Sequence, residues 1–261
     1  MRTVFFGASA LGHRCCRALL ESGADVVGIV TMPEEFSISY SRRPIRNVTY
    51  RDFGDLALEF HLPLLKVQRG LDDATLATIA SWGPDFGLAI GWYYMIQASA
   101  RKLFPLGVAG IHASLLPRYR GGAPLVWAVI NGEQTAGVTL FYLDDGVDTG
   151  DVIAEEAFSI ADEDTIATLL EKATNASIRL VCEQLPALAA GGAARITQDD
   201  SAATTYAQRS PEDGLIDWTW PSERIRNFIR AQTRPYPGAF TRIAGKRVVI
   251  WDADVFDDGN D

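Results

Sequence analysis

Residues 3–30, TVFFGASALGHRCCRALLESGADVVGIV, decide the fold. TVFF is a short apolar run, Gly7-Ala8-Ser9 a turn, LGHRCCRALLES a helix-like stretch closed by Gly23, and DVVGIV a second apolar run. Strand, turn, helix and strand in that order open a parallel α/β sheet, because two parallel neighbours need a crossover and its helix covers one face. The turn Gly7-Ala8-Ser9-Ala10-Leu11-Gly12 lacks the middle glycine of a dinucleotide fingerprint, and Thr31-Met32-Pro33 offers no acid after the second strand. A nicotinamide cofactor is therefore not expected.

Downstream the pattern continues in kind. EEFSISYSRRPIRNVTY (residues 34–50) reads as a surface loop at the carboxyl edge of the sheet, where ligands are often held. DFGDLALEFHLPLL predicts a helix ended by Pro63, with His61 as a capping or packing residue, and DDATLATIASWG a helix capped by Asp72 or Asp73 and stopped by Gly83. DFGLAIGW is a nearly continuous apolar strand of the buried parallel kind, and it runs into Trp92-Tyr93-Tyr94-Met95-Ile96, which reads equally as core or as a rest for something flat. A helix-like ASARKLFP, the strand VAGI, a helix APLVWAVINGE, a strand GVTLFYL, the turn Asp144 to Gly150, a strand DVIAEEAF and a helix over 164–188 follow. Past the small-residue break ALAAGGAA the character changes to a short strand at SPEDGLIDW, a helix stopped before Pro235 and a hairpin turning at Ala244-Gly245. The expected division is a domain over 1–190, a linker over 191–204 and a small C-terminal subdomain over 205–261.

With 261 residues and 48% hydrophobic content the chain can bury an ordinary core. A formal charge of −9 argues against a long phosphate-neutralising surface, so nucleic acid is not expected as a partner. No run of about 18 apolar residues is present, so no membrane association is expected. The first residues reach Gly7, His13 and Arg14 too soon for a secretion signal, and a cytoplasmic location is expected. Cys15, Cys16 and Cys182 form neither a disulfide framework nor a C-x-x-C spacing. Asp144-x-Gly146-x-Asp148 lacks the spaced ligands and closing Glu of a calcium loop, and no metal is expected.

Two polar groups stand where strands should end: His112 after VAGI, and Asp148 in the aspartate-rich turn. In a parallel sheet the carboxyl ends of adjacent strands share one crevice, so the two can face each other across 36 positions. An imidazole oriented by a carboxylate moves protons near neutral pH, and an imidazolium steadies an oxyanion. Either residue reads equally well as a buried or capping group.

GIHASLLPRYRGGAPLVWAVINGE followed by GVTLFYLDDGVDTGDV resembles the paired signatures of formyltransferases that use 10-formyltetrahydrofolate, the family of the methionyl-tRNA, glycinamide ribonucleotide and sugar N-formyltransferases. The resemblance runs from VFFG to RSPEDGLIDW and RPYPGAF, covers most of the chain, and is strongest to the domain that formylates 4-amino-4-deoxyarabinose carried on UDP. It implies an α/β, Rossmann-like formyltransferase fold with a parallel-rich sheet and a short C-terminal α+β extension. It makes 10-formyltetrahydrofolate the co-substrate, an amine the acceptor, and a nucleotide-linked amino sugar the expected form of that amine. The implied partners are small molecules, with a homodimer left open. The alternatives are methionyl-tRNA formylation, which acidic charge and a short tail disfavour, and a folate- or nucleotide-binding homologue with altered or lost catalysis.

Residue by residue, the resemblance makes His112 the acid/base and oxyanion partner and Asp148 the carboxylate that orients it. Tyr94, Met95 and Ile96, with Asp144, Asp145, Gly146 and Val147, become the walls of a pterin slot, and Ser114, Leu115, Leu116 and Pro117 the loop that shapes the floor. Gly110 is a departure, since the family pattern has there an asparagine that donates to the oxyanion. Deleting one such donor lowers the rate by roughly 10²–10³, and a backbone N–H, a water or the amide of Asn131 is expected to stand in. Gly122 is a second departure, where the relative has an arginine near the folate. Arg118 and Arg120 read equally as phosphate forks or surface residues, and Tyr206, Arg209, Arg230 and Arg234 as structural ties.

Overall fold

The computed structural model describes residues 1–37, 44–68 and 70–256. Among these, seven strands make the main sheet: β1 (Thr3–Phe6), β2 (Val26–Thr31), β3 (Leu64–Lys66), β4 (Phe86–Ala89), β5 (Val108–His112), β6 (Thr135–Tyr142) and β7 (Val152–Ser159). Their spatial order is β7-β6-β5-β4-β1-β2-β3. The five strands from β3 to β5 are parallel, β6 is antiparallel to β5, and β7 is antiparallel to β6. The sheet is parallel-rich and Rossmann-like, as expected.

Alternation along β1 explains why the sheet is covered on both faces. Every residue of β1 is buried, yet Phe5 packs into one apolar cluster and Val4 and Phe6 into another, because successive side chains point to opposite sides. Phe5 meets α1 (Ala10–Glu21) and its cluster extends to α5 (Pro124–Ile130) and α6 (Ile166–Ala189). Val4 and Phe6 share theirs with Ile79 of α3 (Asp73–Ser81), Ala100 of α4 (Ala98–Arg101) and Phe104. Each fully buried aromatic ring of this kind stabilises by roughly 1.5–3 kcal/mol.

Helix ends follow the signals in the sequence. Ser9 Oγ accepts from Gly12 N at 3.2 Å to start α1, and Gly23 leaves it with φ of 81°. Asp72, rather than Asp73, caps α3 through Thr75 N at 2.8 Å. The short α2 (Gly54–Glu59) ends before His61, an exposed turn residue with φ of 53°. Residues 35–36 and 45–46 pair as two-residue strands, while the central part of the loop expected over 34–50, residues 38–43, lies outside the described residues.

The C-terminal part departs from expectation at SPEDGLIDW. Ser210 and Asp213 close a capping box, and Pro211–Gly214 form a 3₁₀ turn, so only a bridge from Leu215 to Phe240 remains of the expected strand. Helix α7 (Ser222–Arg230) and a hairpin of β8 (Ala239–Ile243) and β9 (Lys246–Ile250) follow. Ala244 and Gly245 adopt φ of 49° and 77°, the pair of left-handed residues that a two-residue hairpin turn demands. No helix among the described residues is long and apolar enough to cross a membrane.

Candidate active site

β5 delivers His112 at its last position, where the ring is buried at 8% exposure. Nε2 donates to the Tyr119 carbonyl oxygen at 2.7 Å, and Nδ1 faces Asp148 Oδ2 at 3.5 Å. Asp148 sits at φ of 56°, a left-handed conformation that disfavours a side chain by about 1–2 kcal/mol. Its Oδ2 also accepts from Gly121 N at 2.8 Å.

The two residues meet by a different route from the one expected. β6 runs antiparallel to β5, with Tyr142 opposite Ala109 and Thr139 opposite His112, so the carboxyl end of β6 points away from His112. The crevice shared by parallel strand ends is therefore not the cause. The chain after Tyr142 doubles back, held by Tyr142 N to Asp151 O at 2.9 Å and Leu143 N to Val108 O at 2.8 Å, and that return brings Asp148 to the imidazole.

Nε2 meets a carbonyl oxygen, which only accepts, so the ring carries a proton on that nitrogen. The 3.5 Å separation at Nδ1 exceeds a hydrogen bond, which leaves that nitrogen free to serve another group beside the carboxylate. The site can thus bring an imidazole nitrogen and a carboxylate together to a group that gains or loses a proton.

The two strips expected to flank a flat ligand lie within reach of one residue. Arg101 Nη1 donates to Ile96 O at 2.7 Å, and its Nη2 pairs with Asp145 Oδ1. Arg101 therefore ties the segment Tyr94-Met95-Ile96 to the turn Asp144-Asp145-Gly146-Val147. Met95 and Val147 are 55% and 54% exposed, so each strip offers an apolar side chain to solvent, whereas Ile96 is buried and belongs to the core. Tyr94 is anchored by its hydroxyl to Gln68 O at 2.8 Å and Ser37 O at 3.1 Å. Asp144 Oδ1 accepts from Gly146 N at 3.0 Å and Thr149 Oγ1 at 2.7 Å, which shapes the turn from inside. In the floor loop, Ser114 Oγ donates to Arg118 O at 2.6 Å, Leu116 N donates to Thr139 Oγ1 at 3.1 Å, Leu115 is half-buried, and Pro117 follows a cis peptide bond.

The two glycine departures have distinct physical causes. A Cβ on buried Gly110 would lie 3.1 Å from Ala89 O and 3.1 Å from Leu143 Cδ2. Leu143, packed with Leu116, Phe141 and Val152, stands where a polar side chain would extend. Asn131 does not replace it: its amide donates to the Tyr119 and Tyr206 hydroxyls at 3.2 and 2.9 Å. At Gly122 a Cβ would lie 2.3 Å from Gln208 Cα and 2.5 Å from Gln208 N, so backbone occupies the space an arginine would need. Gly122 is a packing position under the C-terminal segment.

Arg120 is 7% exposed and committed to Gln198 Oε1 at 2.7 Å and Asp200 Oδ1 at 2.8 Å, and Arg118 pairs with Glu133; neither is a free phosphate fork. Tyr206 stacks on Tyr119 at 4.8 Å, Arg209 donates to Gln232 Oε1 at 2.8 Å, Arg230 donates to Ala161 O at 3.0 Å, and Arg234 lies over Trp251 at 4.7 Å, all structural ties. Burial pushes the Tyr119 phenol up to about 12, so it stays protonated and donates to Glu133 Oε1 at 2.7 Å. Burial likewise pushes the Cys15 thiol up to about 12 and the Cys16 thiol higher still, which removes both as nucleophiles. Arg101, Tyr119 and Gln198 were not singled out by sequence reading; each acts through a carbonyl or an amide, which leaves no spacing signal. Among the described residues no group of three or more His, Cys, Asp or Glu side chains is placed to hold a metal ion.

Comparison with known proteins bears on the fold. Residues 1–185 match the family model described as formyl transferase, and residues 209–261 match that of the formyl transferase C-terminal domain. A 4-N formyltransferase from Francisella tularensis is similar over 97% of this chain and 99% of its own, with a TM-score of 0.73 and 16% identity. WlaRD, a sugar 3N-formyl transferase solved with dTDP and 5-N-formyl-THF, is similar over 95% of this chain and 85% of its own, with a TM-score of 0.71 and 17% identity. A methionyl-tRNA formyltransferase from Clostridium thermocellum is similar over 95% and 90%, with a TM-score of 0.65 and 18% identity. At these identities the likeness is one of fold.

Proposed function

The chain belongs to the formyl transferase family, and on that premise we propose that it moves a formyl group from 10-formyltetrahydrofolate to the amine of a nucleotide-linked amino sugar. The observation that carries the reading is the His112–Asp148 pair at 3.5 Å beside two strips tied together by Arg101. A pterin is flat and rich in donors and acceptors, which suits apolar flanks such as Met95 and Val147 with backbone between them. WlaRD, with its sugar activity and its dTDP and formyl-folate ligands, supports the acceptor class. The net charge of −9 speaks against tRNA.

In this reading the amine lone pair attacks the formyl carbon and a C–N bond forms, while the carbonyl electrons move to oxygen. His112 faces that charge. The oxygen's electrons then re-form the carbonyl, the bond from the formyl carbon to N10 breaks with its electron pair going to N10, and the proton lost by the amine passes through Asp148 and His112 to N10. Products are the formamide and tetrahydrofolate. Incubating the protein with 10-formyltetrahydrofolate and a panel of nucleotide-linked amino sugars is expected to release tetrahydrofolate only when an amine is present. Release of formate without amine would make the protein a hydrolase, and no release with any amine would remove the reading.

A second reading, ligand binding without efficient transfer, is favoured by Leu143 standing beside Gly110. It is separable by substitution. Gly110→Asn alone is expected to lower the melting temperature, since overpacking destabilises by about 1–3 kcal/mol. Combined with Leu143→Ala, it is expected to recover stability and raise the transfer rate above the parent; a combined variant no faster than the parent would show that position 110 makes no contact with the oxyanion.

A further inference from the structure

We infer that Gln198 is a positioning residue for the His112–Asp148 pair, and that the segment 198–206 acts as a strap that sets the geometry of formyl transfer. The inference rests on the function proposed above and concerns the same site. Gln198 Nε2 donates to Asp148 O at 2.9 Å and to Gly150 O at 2.8 Å. One amide thus holds the left-handed Asp148 and the last residue of its turn. Its Oε1 accepts from Arg120 Nε at 3.1 Å and Nη2 at 2.7 Å. Arg120 is buried, so its guanidinium needs these partners, and it neighbours Gly121, whose N–H holds Asp148 Oδ2 at 2.8 Å.

The other half of the pair is held by the same segment. Tyr119, whose carbonyl oxygen receives His112 Nε2–H, donates its own N–H to Thr204 Oγ1 at 2.9 Å, and its ring stacks on Tyr206. Arg120 N donates to Thr204 O at 2.8 Å and Gly122 N to Tyr206 O at 2.9 Å, a short parallel ladder between 120–121 and 205–206. The imidazole and the carboxylate sit on different strands' extensions, and Gln198 with its neighbours is what both are tied to. A non-glycine residue in a left-handed conformation persists when its surroundings over-determine it, and Gln198 supplies two of those constraints.

The test compares Gln198→Glu, which keeps the Arg120 contact but sets a carboxylate against two carbonyl oxygens, with Gln198→Ala, which removes both interactions. Both are expected to lower kcat about 10–100-fold with KM for either substrate within about twofold, because displacement of a catalytic pair acts on the chemical step. The limbs of the kcat–pH profile are expected to move as well. Thr197→Ala, which removes a neighbouring tie from Thr197 Oγ1 to Asp151 Oδ1 at 3.0 Å, is expected to leave kcat and the profile unchanged. A readout free of activity separates this inference from the proposed function: at fixed pH the His112 ring resonances, assigned by their absence in His112→Asn, are expected to shift in both Gln198 variants while those of His13 and His61 stay. Parent-like kcat and pH profile, unmoved His112 resonances, or an equal loss in Thr197→Ala would each overturn the positioning role.

Discussion

His112→Asn is expected to abolish measurable formyl transfer, a loss of about 10³-fold or more in kcat, while affinity for the folate changes by less than about twofold. The ring stands beside Asp148 with Nδ1 open, whereas Leu143 is apolar and the nearby amides of Gly121 and Leu116 are committed to Asp148 and Thr139. Where the family resemblance implies donors at 110 and 112, this chain has a glycine at 110. On the proposed mechanism, loss of His112 therefore leaves positioning alone. Steady-state rates with tetrahydrofolate release as the readout, beside equilibrium binding of the folate, check the result; an unchanged kcat would remove His112 from the chemistry. The Met95 and Val147 flanks lie on other segments, which is why binding is expected to survive.

Asp148→Asn separates charge from shape. Asp148 Oδ2 both accepts from Gly121 N–H and faces His112 Nδ1, so the new amide keeps the Gly121 hydrogen bond through its oxygen while the ring loses the carboxylate it faces. The hydrogen bond that shapes the turn is retained, so the melting temperature is expected to hold. The carboxylate charge and the proton acceptor are gone, so kcat is expected to fall about 10²–10⁴-fold. Thermal denaturation and kcat measured on one preparation give the comparison. A parallel fall in both would make Asp148 a structural residue of the turn; retention of both would place the proton transfer elsewhere.

The sheet could be read from residues whose signals are local. TVFF and DFGLAIGW are apolar enough to be buried on both faces, Asp72 and Gly83 bracket a helix, and Ala244-Gly245 turns a hairpin, each through φ, capping or burial that neighbouring residues determine. SPEDG misled for an equally local reason, because Ser210 and Asp213 preferred each other's backbone to a strand ladder.

His112 and Asp148 were readable as candidates because a polar residue at the end of an apolar strand is conspicuous. Their meeting was expected too, but the route to it was not readable, since the antiparallel direction of β6 depends on which neighbour it pairs with across the sheet. Gln198, Arg101 and Tyr119 stayed hidden because each makes part of its contact at a main-chain oxygen, which every residue possesses and no residue type announces.

By itself, the sequence determined the alternation of strands and helices, the identity of the two ionisable groups and the family to which they belong, because backbone propensity and burial act over a few residues. Only the tertiary structure decided that Asp148 returns to His112, that Leu143 stands against Gly110, and that residues 198–206 brace the pair. Those outcomes turn on strand direction and on hydrogen bonds between segments 50 to 85 positions apart, where chain connectivity places no constraint and packing alone chooses the partner.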